Sequence, residues 1–463
     1  MKSFATALRK DIGVFLLFYF FATTSVVAAD GAPTAQELLA GLIAIPSFEE
    51  TGRAREAAEF LAGHLLSAGF PARDVQLLGP SETIGGLVAR LPGRGTERPV
   101  LLLAHLDVVP AVAESWSDDP FQLVARDGYL YGRGTLDNKA GAATLVSNLI
   151  RMKQEGIVPE RDLVLVLTLD EETNMLSIRW LLEHHKSLLE AEFALNTDGG
   201  TVQMIDGKAA VFGIQTAEKI YMTLELRADN PGGHSSVPQP ENAIYTLAKA
   251  LNKIAAYQFP VNLNDVTRAN FASPAESIGA SIGAAMRKLA SNSASQQDIA
   301  LLQSIPSINA QMRTTCVATQ ISGGHADNAL PTYAKAIVNC RILPQENAED
   351  VDSRLLQVIA DDAISMRRTY EPETSPPSPL VPEVLDRITG IANGLFPGIK
   401  IMPMMSTGAS DGLYTRRDGI PTYGVSAIAK SPEDNREHGI DERIKQSAFD
   451  ASVEFWYRLM LTL

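Results

Sequence analysis

The chain has 463 residues, of which 45% are hydrophobic and 20% are charged, as in an ordinary globular protein. This length exceeds one compact core and predicts two or three domains. The formal net charge is −14, so we expect no nucleic-acid partner, which would require a basic surface.

The N-terminus has the pattern of a signal peptide. Basic residues Lys2, Arg9 and Lys10 precede an apolar run over residues 12–28, which ends in small residues that fit a cleavage site. This pattern predicts a signal peptide over residues 1–29 and a periplasmic or secreted protein. An uncleaved membrane anchor is the alternative, although the apolar run lies at the short end of the length that a membrane span requires.

Apolar runs of strand length alternate with helical patterns through the next part of the chain. Helical spacing of apolar residues covers 34–45, 54–68 and 141–153, and continuous apolar runs cover 100–104, 163–169 and 193–195. This alternation predicts buried parallel strands in an α/β sheet that has helices on its faces.

A different pattern begins near residue 219. It predicts strand 221–227, helix 241–256, strands 316–322 and 333–342, helix 348–363 and strand 364–370. The order β-α-β-β-α-β is typical of a small ferredoxin-like α+β domain. We therefore predict a main α/β domain formed by residues 30–215 and 375–463, into which a domain of residues 216–374 is inserted. The connection 259–315 is long enough for helices of its own, and its role stays open.

Cys316 and Cys340 are the two cysteines of the chain, which excludes a cysteine-rich zinc module. Both lie in predicted strands of the inserted domain. They could face each other across a hairpin and form a disulfide in an exported protein. Two separately buried thiols are the alternative.

Residue types that bind metals occur where predicted strands end. His105 and Asp107 close the first apolar run, and residues two apart in a strand point the same way. His105 could therefore bind a metal while Asp107 orients its ring. Asp137 stands where a helix begins, after Gly132 and Gly134, which permit an unusual backbone path. The ordinary alternatives to metal binding are that His105 is a strand-end histidine without a ligand role and that Asp137 caps the helix N-terminus.

Further acidic groups follow the next two apolar runs. Glu171 and Glu172 lie in a row of three carboxylates, which repel each other unless a cation is near. Asp198 precedes two glycines, and His438 lies in a late Glu-His-Gly motif. Each motif alone could be a solvated loop. Together they predict a metal site, because open α/β sheets place their sites at the carboxyl ends of strands and zinc accepts histidine and carboxylate ligands.

In order and spacing, these motifs resemble those of the two-zinc aminoacylase and carboxypeptidase family, which includes glutamate carboxypeptidase, carboxypeptidase S and succinyl-diaminopimelate desuccinylase. The resemblance rests on His105-Leu106-Asp107, the segment 132–139, Asp170-Glu171-Glu172, Asp198-Gly199-Gly200, Gly232-Gly233-His234-Ser235-Ser236 and His438. Residues 116–139 are most similar to the carboxypeptidase S branch. Ala140, Asn174 and Asp198 depart from the residues common in the family, and none of these departures removes a ligand.

The resemblance implies a zinc-peptidase-like mixed sheet, an inserted lid or dimerisation domain, and two Zn²⁺ per chain, with Mn²⁺ or Co²⁺ as alternatives. One ion would be bound by His105, Asp137 and Asp198, and the other by Asp137, Glu172 and His438. Glu171 would be the general base, with Asp107 beside His105. His234 would stabilise the oxyanion, and the implied substrate-binding residues are Asn328, Arg341 and Gly408.

The resemblance further implies hydrolysis of an amide bond in an N-acyl amino acid or short peptide with a free C-terminal carboxylate. A deacetylase or desuccinylase of a small metabolite is one alternative, but export argues against it. A peptide-binding family member without activity is another, and the intact Glu171 and ligand set argue against it. We expect a homodimer through the inserted domain, with His234 supplied by the partner, unless the segment 259–315 replaces the second subunit.

Overall fold

The computed structural model describes residues 33–273 and 278–463. The predicted signal peptide lies outside the described residues. In those two ranges we find no helix with the length and hydropathy needed to span a bilayer.

Helices and strands alternate along most of the described chain. The first part of the main domain contains α1 (Ala35–Ile43), α2 (Ala54–Ser67), β1 (Val75–Leu78), β2 (Gly86–Leu91), β3 (Val100–His105), β4 (Val124–Arg126), β5 (Tyr129–Tyr131), α3 (Lys139–Gln154), β6 (Leu163–Thr168), α4 (Leu176–His184), α5 (Lys186–Leu189), β7 (Phe193–Asn196), β8 (Thr201–Ile205) and β9 (Lys208–Glu218). The middle of the chain contains β10 (Ile220–Asp229), β11 (Gly233–His234), α6 (Ala243–Ala256), α7 (Asp265–Ala272), α8 (Ala280–Ala290), α9 (Gln296–Gln303), α10 (Pro306–Met312), β12 (Thr315–Gly323), β13 (Ala329–Leu330), β14 (Tyr333–Ile342), α11 (Ala348–Ile359) and β15 (Ile364–Tyr370). The last part contains α12 (Pro382–Leu395), β16 (Lys400–Ser406), α13 (Gly412–Arg417), β17 (Thr422–Gly424), β18 (Ala429–Lys430), β19 (Arg443–Lys445) and α14 (Gln446–Leu461).

A large mixed sheet forms the centre of the main domain, as the family resemblance implies. Its strand order is β1-β2-β6-β3-β7-β17-β9-β8-β18, with β16 paired to β9. The central strands β6, β3, β7 and β17 are parallel, while β2 pairs with β6 in the antiparallel direction. Strands that precede the inserted segment in the sequence thus share one sheet with strands that follow it.

The apolar runs of β3 and β6 are fully buried because helices cover both faces of the sheet. Alternate side chains point to opposite faces. Leu102 and Leu165 join the core beneath α1, α2, α3, α12 and α14. Leu101 and Val164 join a second core beneath α4, α5 and α13. The uninterrupted apolar character that predicts these strands therefore follows from a three-layer arrangement.

The middle segment forms a second sheet in the order β12-β14-β10-β15. All its pairings are antiparallel, and α6 and α11 supply its helical layer and core. This is the predicted ferredoxin-like arrangement. β9 continues in the large sheet to Glu218, so the predicted boundary at residue 216 falls within this strand. The division into domains at 216 and 374 stays a prediction.

The long connection between α6 and β12 is helical. The segment 259–315 contains α7, α8, α9 and α10, which pack on one another around Phe271, Met286 and Leu302. At the end of this segment, Cys316 and Cys340 lie opposite each other in the register of β12 and β14 and form a disulfide. The hairpin arrangement, and not two separate thiols, is therefore the one present.

Candidate metal centre

Three predicted ligands follow neighbouring parallel strands. His105 ends β3, Glu172 lies in the turn after β6, and Asp198 follows β7. β3 lies between β6 and β7 and is parallel to both. Because the carboxyl ends of parallel strands meet at one edge of a sheet, the fold brings these three side chains together.

A small three-stranded sheet brings in the other two ligands, Asp137 and His438. β19 pairs with β5, and the Gly132 N–H donates to the Glu442 carbonyl at 3.0 Å. Gly134 lies in the loop between β5 and α3 that carries Asp137, and its φ of +92° is a conformation that favours glycine. His438 has a φ of +60°, a backbone conformation that residues other than glycine rarely adopt. Such backbone strain is found mainly at functional sites.

The five side chains form two groups that share Asp137. One group is His105, Asp137 and Asp198, the other is Asp137, Glu172 and His438, and within each group the ligand atoms lie within 4.8 Å of one another. His105 Nε2 lies 2.8 Å from Asp137 Oδ1, and His438 Nε2 lies 3.1 Å from Asp137 Oδ2. His438 Nε2 also lies 3.0 Å from Glu172 Oε2. The structure thus brings together both sets that the resemblance implies.

The charges at this centre fit divalent cations. Burial raises the pKa of the Glu171 carboxyl well above its usual value, and the charge of Asp198 raises it further. Burial and the charge of Asp137 raise the pKa of Asp198 well above its usual value as well. For Asp137, burial acts in the same direction, but hydrogen bonds with His105 and His438 outweigh it and lower the pKa. Buried carboxylates that repel one another beside two imidazoles are a donor set that zinc-type ions stabilise.

Asp107 orients both the histidine and the acidic turn. Its carbonyl oxygen lies 3.1 Å from His105 Nδ1, which leaves His105 Nε2 directed at the centre. Its carboxylate accepts the Glu171 N–H at 3.1 Å and the Glu172 N–H at 2.8 Å. Asp107 therefore positions a ligand and the predicted base, without itself belonging to either ligand group.

Sequence reasoning missed Glu442, which is fully buried and holds the loop that carries Asp137. Its carboxylate accepts the backbone N–H groups of Gly134, Leu136 and Asp137 at 2.6–3.2 Å. It also pairs with Arg133 at 2.6 Å. The only sequence signal was the acidic pair Asp441-Glu442 shortly after His438, and nothing in the sequence connects Glu442 with the distant loop that carries Asp137.

Comparison with known proteins decides the family. The profile of peptidase family M20/M25/M40 matches residues 101–462. The chain belongs to this family. It is 30% identical over 458 residues to the N-fatty-acyl-amino acid synthase/hydrolase PM20D1 of Xenopus tropicalis, which covers 92% of this chain and 85% of the relative. It is 26% identical over 377 residues to a probable carboxypeptidase S-like protein 2 of Dictyostelium discoideum, which covers 78% and 71% of the two chains.

Solved structures of M20 proteins share the fold. The metallo-carboxypeptidase Sso-CP2 of Sulfolobus solfataricus matches with a TM-score of 0.70 and 17% identity, over 93% of this chain and 99% of that one. The YXEP protein of Bacillus subtilis, a dinuclear metal binding peptidase, matches with a TM-score of 0.58 and 13% identity, over 92% and 96%. The protein is therefore a metal-dependent hydrolase of the M20 family, and the M20 fold and ligand groups fit a centre with two metal ions.

A cavity of about 510 Å³ opens onto this M20 metal centre. Its lining includes the predicted base Glu171 and four of the predicted ligands, Asp137, Glu172, Asp198 and His438. The same cavity is also lined by Arg341, Gly408, Tyr221, Tyr370 and Tyr414. Arg341 and Gly408 thus lie in the same cavity as the centre, as their predicted substrate-binding roles require.

His234 and Asn328 lie outside that cavity. They belong to the small β11-β13 hairpin sheet, where the Ser235 N–H donates to the Asn328 carbonyl at 3.0 Å. Both residues are exposed, and His234 Nδ1 contacts the Ser236 hydroxyl at 2.7 Å. The structure brings these two residues together, but it does not bring them to the metal ligands of the same chain.

We expect purified protein to contain about two divalent ions per chain, and a chelator to abolish its activity. Asp137→Asn should lose both ions, because Asp137 is shared by the two groups. Metal analysis by mass spectrometry measures both quantities. Asp127→Asn, at an exposed carboxylate away from the centre, is the control and should retain both ions. Full activity of the metal-free protein, or two ions in Asp137→Asn, would contradict the assignment.

Proposed function

We propose that this protein hydrolyses the amide bond of N-acyl amino acids or short peptides that have a free C-terminal carboxylate. The observation that carries the proposal is the position of Arg341, whose side chain lines the same cavity as the metal ligands. A cation at one side of the cavity and a metal centre at the other fit a substrate whose carboxylate lies close to a scissile amide.

The Arg341 guanidinium is held in position without a charged partner. Its Nη1 donates to the Thr407 carbonyl and its Nε to Asn339 Oδ1, both at 3.3 Å, and it lies 4.6 Å from the centre of the Tyr221 ring. Across the described part of the chain, no carboxylate forms an ion pair with it. Burial lowers the pKa of Arg341 from its usual value, but a guanidinium stays charged. Arginine is suited to bind a carboxylate through two parallel hydrogen bonds.

Glu171 is the group that we assign to proton transfer. It is buried next to the ligands, with Oε2 at 3.9 Å from His105 Nε2, and it belongs to neither ligand group. Bound divalent ions would supply a water of lowered pKa and a polarised substrate carbonyl at this position. Glu171 would accept the proton of the attacking water and donate it to the leaving nitrogen as the C–N bond breaks. During these steps, Arg341 would bind the carboxylate of the leaving amino acid.

The comparisons favour an N-acyl amino acid among these substrates, since the PM20D1 relative is an N-fatty-acyl-amino acid synthase/hydrolase. We propose zinc for both ions, because the donor set of two imidazoles and three carboxylates suits it. Manganese and cobalt share these ligands. We also propose an exported enzyme, on the basis of the signal-peptide pattern in residues 1–29.

We further propose a homodimer through the inserted domain. β12 is an edge strand of that domain, and its apolar side chains Val317 and Ile321 are 61% and 66% exposed. An exposed edge strand of this kind is a template for pairing with another chain. A second subunit could also supply His234 and Asn328, which lie outside the cavity of their own chain, to the partner's metal centre.

Arg341→Ala is expected to lower kcat/KM for free-acid substrates far more than for the matching C-terminal amides. The loss on the acids should be about 10²-fold, the range for one charge-assisted bidentate contact. Steady-state kinetics on an N-acetyl amino acid and its amide measures the difference. Arg367→Ala is the control, since Arg367 lies on β15 and pairs with Glu225 outside the cavity. Equal losses on acid and amide would rule out this role of Arg341.

A further inference from the structure

A second cavity, of about 420 Å³, lies between the large sheet and the helices of the 259–315 segment. Its apolar wall is built by Val211 of β9, Met402 and Met404 of β16, and Met286 of α8. Lys430 and Asn435 line another side of it. The volume is in the range of small-molecule sites, which are mostly apolar with a few polar groups.

This methionine cavity, as we call the space lined by Val211, Met286, Met402 and Met404, adjoins a cavity that is lined in part by metal-centre residues. A third cavity of about 400 Å³ shares Met404 and Lys430 with it. The same third cavity shares Asp137 and Asp198 with the cavity that contains Arg341. The three cavities therefore form a series of neighbours, in which Arg341 lines the first, Asp137 and Asp198 line both the first and the second, and the methionines line the last.

The two ends of this series of cavities differ in chemistry. Arg341 offers a positive charge at one end, whereas the methionine cavity offers thioethers and aliphatic carbon at the other. Methionine side chains are flexible and polarisable, so they adapt to apolar ligands of different shape. A peptide would direct polar backbone and a charged amino group into this wall, at a cost in desolvation. An alkyl chain would instead remove apolar surface from water.

We propose that the methionine cavity binds the alkyl part of the acyl group of an N-acyl amino acid, so that medium- and long-chain acyl substrates are preferred to peptides. The inference rests on the proposed function, in which Arg341 binds the carboxylate and the amide carbonyl lies at the metal centre. Acyl chain and carboxylate are on opposite sides of the scissile bond, and the cavity lined by Asp137 and Asp198 shares wall residues with both the methionine cavity and the Arg341 cavity.

The proposal also assigns a role to the 259–315 segment. α7 packs on β16, and α8 packs on α7 and lines the methionine cavity through Met286. α7 is held there by Asn270, whose Nδ2 donates to the Pro403 carbonyl at 3.1 Å, and by Val266, which packs with Met405. The insertion therefore converts one face of the sheet into the wall of an apolar site.

The test compares N-acetyl, N-octanoyl and N-dodecanoyl derivatives of one amino acid as substrates of the full-length, metal-containing protein. We expect kcat/KM to rise with chain length, by up to about fourfold for each buried methylene. Met404→Gln places an amide against the chain and should lower the dodecanoyl-to-acetyl ratio of kcat/KM by about tenfold. Met366→Gln, on β15 outside the three cavities, is the matched control and should leave the ratio unchanged.

A measurement on the unaltered protein covers the case in which Met404→Gln does not fold. Dodecanoate should inhibit hydrolysis of the N-acetyl substrate at least tenfold more strongly than hexanoate, since both have the same carboxylate and differ in chain length. Hydrolysis of the N-acetyl substrate with no chain-length preference in either assay would overturn the methionine-cavity proposal alone. If none of the acyl amino acids is hydrolysed, the proposed function itself fails.

Discussion

Glu171→Gln is expected to lower kcat by about 10²–10⁴-fold while both metal ions stay bound, because the amide keeps the shape of the side chain but cannot accept a proton. The backbone of this turn should not move, since Asp107 accepts the Glu171 and Glu172 N–H groups whichever side chain is present. Turnover and metal content, measured on the same preparation, test the two parts of the expectation.

Glu172→Gln is the matched control for Glu171→Gln, one residue away. Glu172 lies in the ligand group with Asp137 and His438, whereas Glu171 lies in neither group. The Glu172 variant should therefore lose metal as well as activity. The same metal loss in both variants, or full turnover in Glu171→Gln, would show that base and ligand have been assigned to the wrong residues.

His234→Ala should lower kcat by about 10²–10³-fold with both metal ions retained, which is the usual effect of removing one oxyanion donor. His234 is exposed and lies outside the cavity of its own chain, so the metal ligands have no contact to lose. His184→Ala, at an exposed histidine of α4, is the control and should leave kcat unchanged.

Mixing the inactive His234→Ala and Glu171→Gln proteins tests whether the site is shared between subunits. In a mixed dimer, one of the two sites would contain an intact Glu171 from one chain and an intact His234 from the other. We expect recovery of up to about a quarter of the wild-type activity after random exchange, because half of the dimers would be mixed and each would contain one complete site. Subunit exchange is confirmed first with differently tagged chains. Exchange without recovered activity would exclude a shared site.

A metal site at this edge of the sheet was predictable from the sequence because the signals are local, whereas the individual ligands follow from the family resemblance and stay a prediction. His105, Glu172 and Asp198 each follow an apolar run long enough for a buried strand, and parallel strands bring such positions to one edge. The ferredoxin-like segment was predictable for a similar reason, since each element has its own periodicity. β3, β6 and β7 of the large sheet were predicted in this way, whereas β1, β2, β8, β9 and β16 were not.

Other features required the tertiary structure. Glu442 acts on Asp137 only because β19 pairs with β5, and no local pattern encodes a contact across 305 residues. The pairing of Cys316 with Cys340 depended on the register of β12 and β14. The methionine cavity depended on which face of the sheet the 259–315 helices cover. Side-chain chemistry and local periodicity determine which residues can bind metal and form strands, whereas long-range packing decides which of them share a site.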